Sequence, residues 1–199
     1  MTTTNLSALL LNDEPISLID AKLHLRLAVT ANEAMEYTTE DGYIGSLVIS
    51  ARESAERYTG RTIKQRTRNL YLGGFPSADT IEIPYPPLVS LTGVYYTKRD
   101  EVSETEYTDV TVDTQSEPGK VVKDYGKSWP ADNLERVNPV RIEYISGYAT
   151  VPEPIVSAMK LRITDLYEQR GSVIVGTSAV QIPDYYDRLL ATYRMWSHL

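Results

Sequence analysis

The chain has 199 residues, of which 42% are hydrophobic, and a formal net charge of −7. This length and composition suffice for one domain, or for one domain with a large insertion, that buries a core. The chain contains no cysteine, which excludes disulfides, thiol catalysis and thiolate metal sites. Its negative charge disfavours non-specific adhesion to nucleic acid, and no apolar run approaches the roughly 20 residues of a membrane span.

The chain opens with two segments whose apolar residues recur at helical spacing. In residues 17–27, Ser17 can cap the first turn of a helix. In residues 41–59, Asp41 is the expected N-cap, and one apolar stripe runs along the segment. The polar residues 28–40 join the two segments. The sequence therefore predicts a helix, a linker and a second helix in this region.

From residue 66 to residue 147 the hydrophobic pattern changes from helical spacing to alternation, which is typical of strands. Glycine and proline pairs separate the alternating runs, and these residues favour turns. The sequence therefore predicts six short strands, at residues 67–72, 80–84, 89–96, 107–112, 120–123 and 140–145.

Helical spacing returns at residues 153–170, next to two prolines that suit a first helical turn. A polar loop that contains glycine follows, and then a short C-terminal helix. These elements predict an α+β fold in which residues 1–65 and 148–199 form a small α-helical bundle core. A β-rich insertion, residues 66–147, is expected between the second and third long helices.

Few side chains are arranged for catalysis or ligand binding. His24 and His198 are the only histidines and lie near opposite ends of the chain, and His24 has no second ligand at metal-binding spacing. The acidic residues at 100–101 and 104–106 could bind a divalent cation, but they lack the ligand order of an EF-hand and fit solvated turns better. We therefore predict no catalytic residue, no cofactor and no metal site.

The C-terminal residues are rich in the side chains that dominate protein interfaces. Tyrosine occurs 15 times against one phenylalanine, and its ring and hydroxyl suit surfaces that become buried on assembly. The alternative is that Leu189, Leu190 and Tyr193 cover the protein's own core, and the sequence fits both interpretations equally. The candidate docking residues are Tyr185, Tyr186, Arg188, Tyr193, Arg194 and Trp196.

Several motifs occur in an order that resembles one protein family. The chain has SLxxAKxHLR at residues 17–26, and its second helical segment ends in ARExAExYTGR at residues 51–61. Further matches are FPSADTIEIPYPPLVSLTGVYY at 75–96, WP at 129–130, RIEYISGYATVPEPI at 141–155, LYEQRG at 166–171 and LLATYRMW at 189–196. Taken together, these motifs resemble the head-to-tail connector (adaptor) proteins of long-tailed bacteriophages.

The resemblance implies a structural protein of the virion neck, made in the cytoplasm of a host bacterium, and not an enzyme. Such a connector forms a ring, dodecameric in the virion, under the portal protein, and it docks the head-closure or tail-completion protein. Double-stranded DNA passes through the ring without sequence-specific binding, and no membrane takes part.

Connectors of this family engage the portal with their C-terminal region. The resemblance therefore implies a portal-docking role for Tyr185, Tyr186, Arg188, Tyr193, Arg194 and Trp196. A connector also needs segments that can order on a partner. The polar residues 28–40 and the chain from Gly171 onward are the candidates.

Two other functions fit the sequence less well. A DNA-packaging accessory protein that contacts nucleic acid needs a basic stripe, which the sequence lacks. A hydrolase would have only paired carboxylates, such as Glu53 and Glu56, for acid–base chemistry. Both of these glutamates have basic neighbours at helical spacing, which favours ion pairs over catalysis.

Overall fold

The protein is described by a computed structural model that covers residues 14–99, 101–131, 133–169 and 185–195. In these ranges the chain forms five helices: α1 (Leu18–His24), α2 (Ala31–Glu36), α3 (Asp41–Thr59), α4 (Glu153–Glu168) and α5 (Tyr185–Ala191). It also forms seven strands: β1 (Arg66–Leu72), β2 (Thr80–Ile83), β3 (Leu88–Tyr96), β4 (Thr105–Tyr107), β5 (Val110–Asp113), β6 (Gly119–Lys123) and β7 (Val140–Ser146).

The predicted small α-helical bundle core is wrong, because most of the described helices are too short to build one. α1, α2 and α5 have 7, 6 and 7 residues, against 19 for α3 and 16 for α4. α1 ends early, since Arg26 adopts a left-handed backbone conformation with a φ of 58°. The strands form two sheets, so the chain is a mixed α/β protein. None of the described helices is long and apolar enough to cross a membrane.

The chain divides into two compact units with the bounds Met1–Lys64 with Thr150–Leu199 and Gln65–Ala149, and only the described residues of each are considered below. In the first unit α3 packs against α4, and both α1 and α5 contact this pair. The apolar residues of α3 and α4 recur at helical spacing, and this places them on one buried face of each helix. The buried residues of these two faces include Ile44, Val48, Ala51, Ala55, Ile155, Ala158, Met159 and Ile163.

Lys22 on α1 holds the segment between α1 and α3 in place. This lysine is only 2% exposed, and its Nζ donates hydrogen bonds to the carbonyl oxygens of Ala34, at 2.8 Å, and Tyr37, at 2.5 Å. Nζ also forms an ion pair with Asp41 Oδ1 at 2.6 Å, at the start of α3. The polar residues 28–40, which we expected to order on a partner, therefore already contain α2 and are tied to α1.

Arg52 joins the N-terminal part of the chain to α3 through a buried ionic network. Its Nε lies 2.9 Å from Glu14 Oε2, and its Nη1 lies 2.9 Å from Glu56 Oε2. The other carboxylate oxygen of Glu56 accepts a hydrogen bond from the Ile63 amide at 2.9 Å. Glu56, which we considered as a catalytic carboxylate, is thus compensated by a cation and an amide.

The second unit contains two antiparallel sheets around one core. The first sheet has the strand order β1-β7-β3-β4, and the second has the order β2-β6-β5. Every second residue of β7 is buried, which places one face of the first sheet on the core. The core residues are Ile81, Ile83, Leu88, Val94, Val121, Trp129, Val140, Ile142 and Tyr144.

Alternation predicted the strands well, with one exception. Five predicted strands agree with β1, β2, β3, β6 and β7 to within one residue at each end. The predicted strand at residues 107–112 is wrong, because the structure divides it into β4 and β5. β4 pairs with β3 and β5 pairs with β6, so the chain passes from one sheet to the other between Tyr107 and Val110.

The Lys22 contacts lead to a test of stability. Lys22→Met removes the charge that compensates Asp41 and the donor for two main-chain carbonyls, so we expect the free energy of unfolding to fall by about 3–5 kcal/mol. Lys98→Met is the control, because Lys98 pairs with Glu101 at the surface, at 3.3 Å, and such pairs contribute about 0–1 kcal/mol. Urea unfolding measures both variants. A loss for Lys22→Met within the range of the control would contradict the role given to Lys22.

Candidate docking site

Residues 185–195, called here the C-terminal segment, contain five of the six candidate docking residues. The segment lies against the end of α3. The Met195 amide donates a hydrogen bond to the Thr59 carbonyl at 2.7 Å. Arg61 Nε donates a hydrogen bond to the Tyr193 carbonyl at 2.6 Å. These two bonds fix the path of the chain after α5.

Tyr58, on the last turn of α3, contacts three residues of the C-terminal segment. Its hydroxyl donates a hydrogen bond to the Asp187 carbonyl at 3.3 Å. Its ring meets the Tyr186 ring edge to face, with centroids 6.3 Å apart. The Arg194 guanidinium lies 5.5 Å from the centre of the Tyr58 ring, within the range of a cation–π contact. Two of the candidate docking residues therefore contact the protein's own α3.

The exposed side of the C-terminal segment presents one tyrosine and two arginines. Tyr185 is 59% exposed, and Arg188 and Arg194 are also exposed. Tyr186 and Tyr193 are half-buried. The remaining candidate, Trp196, lies outside the described residues.

Leu190 shows that the same segment also covers the protein's own core. Its side chain is completely buried, and it lies on α5, which packs against α3 and α4. Leu189 and Tyr193 are half-buried. The sequence left a core role and a docking role open. In the structure one side of the segment packs on the core and another side is exposed.

The sequence analysis missed the residues that receive this segment, which are Tyr58, Thr59 and Arg61. Thr59 is completely buried, and Arg61 is 9% exposed. Gly60 ends α3 in a left-handed conformation, with a φ of 69°, which glycine adopts without steric cost. The YTGR ending of the motif at residues 51–61 was the only signal, and it gave no indication of which part of the chain these residues contact.

Two of the other chemical candidates, Asp100 and His198, lie outside the described residues, and those that are described have other roles. Burial, and then the charge of Lys160, lowers the pKa of His24, so its imidazole is mainly neutral near pH 7. Glu104 accepts a hydrogen bond from Arg141 Nε at 2.9 Å, and this hydrogen bonding lowers the pKa of the carboxyl. Among the described residues, no group of three or more His, Asp or Glu side chains could hold a metal ion.

The buried position of Leu190 can be tested by substitution. We expect Leu190→Ala to lower the free energy of unfolding by about 2–5 kcal/mol, because it removes fully buried methyl groups and leaves a cavity. Arg188→Ala is the control on the same helix. Since Arg188 is exposed, its loss should change stability by no more than about 0.5 kcal/mol. If urea unfolding gave the same small effect for both variants, α5 would not be part of the core.

No protein-family model and no curated protein sequence matches the chain significantly. Solved structures do match. A chain in the neck of an empty gene transfer agent particle, computed with C6 symmetry, has 18% identity and a TM-score of 0.76 over 95% of this chain and 94% of that chain. A chain in the virion of a native gene transfer agent particle has 18% identity and a TM-score of 0.74, with the same coverage of both chains.

A third chain comes from the neck of a native gene transfer agent particle, computed with C12 symmetry. It has 19% identity and a TM-score of 0.64 over 80% of this chain and 85% of that chain. At such identities the comparison establishes the fold. The protein therefore shares the fold of chains found in the neck and virion of gene transfer agent particles, which supports its resemblance to the head-to-tail connector family.

Proposed function

We propose that the protein is a structural, non-enzymatic connector in the neck of a phage-like particle. Copies of the chain form a ring of twelve that docks under the portal protein, extends the DNA channel and presents a surface to the head-closure or tail-completion protein. Double-stranded DNA passes through without sequence-specific binding. The observation that carries this proposal is the shared fold, with a TM-score of 0.76 to a neck chain over 95% of this chain.

A shared fold does not by itself imply a shared function, because function depends on sites. A connector differs from an enzyme in this respect, since its role depends on the shape of its surfaces and on how they meet those of its neighbours. The match extends over 94% of the neck chain. It therefore involves the framework of the whole protein and cannot arise from one common motif.

The symmetry of the related particles supports the ring. The matching necks were computed with C6 and C12 symmetry, and a ring of twelve copies is compatible with both. Closed rings require each copy to contact the next through two different, complementary surfaces. The net charge of −7 opposes self-association. We therefore propose that isolated chains associate weakly and that the portal collects them into a ring.

The exposed side of the C-terminal segment is the surface that we propose for portal docking. Tyr185, Arg188 and Arg194 belong to the residue types that dominate binding hot spots. The two arginines give this surface positive charge on an otherwise acidic protein, so acidic groups on the portal would complement it. Trp196 remains a docking candidate from its residue type alone.

Imaging of the protein mixed with its cognate portal tests the proposed function. We expect negative-stain or cryo-electron micrographs to show a ring of copies on one end of the portal, around an open channel. Portal particles without an added ring would overturn the proposal. Binding of DNA with a steep dependence on salt would instead favour the packaging accessory protein, because such binding releases counterions from phosphates.

Tyr185→Ala tests the docking surface itself. We expect the affinity for portal to fall at least about tenfold, because the substitution removes an exposed aromatic ring from the contact. Tyr125→Ala is a matched control, since Tyr125 is 106% exposed in the second unit. Surface-immobilised portal can measure both affinities. Equal binding by the two variants would rule out Tyr185 as a contact. Truncation after residue 184 is a poorer test, since it also removes the buried Leu190.

A further inference from the structure

We infer that residues 58–61, called here the seat, position the C-terminal segment for portal binding. The inference rests on the proposed function, because it concerns the same docking surface. Thr59 and Arg61 are 0% and 9% exposed. Under this inference they affect portal binding although they do not contact the portal. The YTGR ending of the helical motif would thus serve to orient a segment that is far away in the sequence.

Arg61 is the central residue of the seat. Its Nε donates a hydrogen bond of 2.6 Å to the main-chain carbonyl of Tyr193, 132 residues further along the chain. A guanidinium stays protonated throughout the physiological pH range, and hydrogen bonds from charged donors are stronger than neutral ones. Because the acceptor is a main-chain atom, this bond fixes the path of the C-terminal segment and does not depend on its side chains.

The seat is itself held rigidly. Thr59 Oγ1 donates a hydrogen bond to the Ala55 carbonyl at 2.7 Å and accepts one from the Arg61 amide at 3.3 Å. Gly60, with its φ of 69°, allows the chain to turn between these two residues. The Thr59 carbonyl, left without a helical partner at the end of α3, accepts the Met195 amide at 2.7 Å. The end of α3 and the C-terminal segment therefore satisfy each other's main-chain groups.

Positioning matters here because α5 has only seven residues. Helices of this length are not stable in isolation, so the exposed residues of the segment keep a fixed arrangement only while it is held to the rest of the unit. Leu190 holds α5 in the core, and the seat holds the chain after α5. A segment that is ordered before binding loses less conformational entropy when it binds. Loosening the seat should therefore weaken portal binding even when every exposed side chain of the segment is unchanged.

Arg61→Met tests the inference in the full-length protein, and Arg57→Met is its matched control. Arg57 is an exposed arginine in the last turn of α3. Three measurements are needed for each variant: hydrogen exchange of the Met195 amide, the affinity for cognate portal, and urea unfolding. We expect Arg61→Met to speed exchange at Met195 at least about tenfold and to weaken portal binding by a similar factor, while Arg57→Met changes neither. Arg61→Lys keeps a charged donor, so it should change the exchange rate and the affinity less than Arg61→Met does.

Tyr58→Phe provides a second, milder variant in case Arg61→Met does not fold. It removes only the hydroxyl that donates to the Asp187 carbonyl and should weaken portal binding about two- to fivefold. The inference is overturned if the Arg61→Met protein folds and binds portal as tightly as the wild type. If Arg61→Met does not fold, wild-type affinity of the Tyr58→Phe protein overturns the inference instead. Wild-type protein that fails to bind portal would overturn the proposed function itself, which is a different result.

Discussion

Three cations buried against α3 hold the short segments of the first unit to that helix. Lys22, Arg52 and Arg61 are 2%, 6% and 9% exposed. Lys22 binds Asp41 at the start of α3, Arg52 lies on the helix and binds Glu14, and Arg61 follows its end and binds the C-terminal segment. The chain has no cysteine, and α1, α2 and α5 are too short to be stable alone. These contacts therefore hold the short elements in place, a role that disulfides or longer helices have in other proteins.

This arrangement has an energetic consequence. Burying a cation costs free energy, and the cost is offset only while all of its partners stay in place. Loss of one partner leaves an uncompensated charge, whereas loss of a surface ion pair costs about 0–1 kcal/mol. A small shift of one of the short segments would move an acceptor away from its buried cation. The buried contacts should therefore disfavour such shifted conformations relative to the native one. Surfaces fixed in this way would suit the proposed ring, in which each copy has to match its neighbours.

Sequence periodicity predicted where most elements lie, but it did not predict the partners of the charged residues. Ser17 caps α1 as predicted, because its acceptor oxygen serves an amide three residues away. The prediction that Asp41 is the N-cap of α3 is wrong, because Asp41 is the first residue of the helix and Glu40 precedes it as the cap. The Asp41 carboxylate instead pairs with the buried ammonium of Lys22. Tyr193 and Arg61 are 132 residues apart, and no local pattern indicates a contact at that separation. The predicted bundle failed because apolar spacing indicates a helical face but not the length of the helix.

The docking candidates were predicted by residue type, and the structure shows that the same short helix also carries a core residue. Leu190 belongs to the core, while Tyr185 is 59% exposed on the same helix. A segment that serves both roles links folding to docking, because its outer side is ordered only while its inner side is packed. In the proposed ring, the portal would then meet a surface that the chain has already ordered. A movement that carried Tyr193 away from α3 would break its bond with Arg61, so that bond would limit how far the proposed docking surface can adapt to its partner.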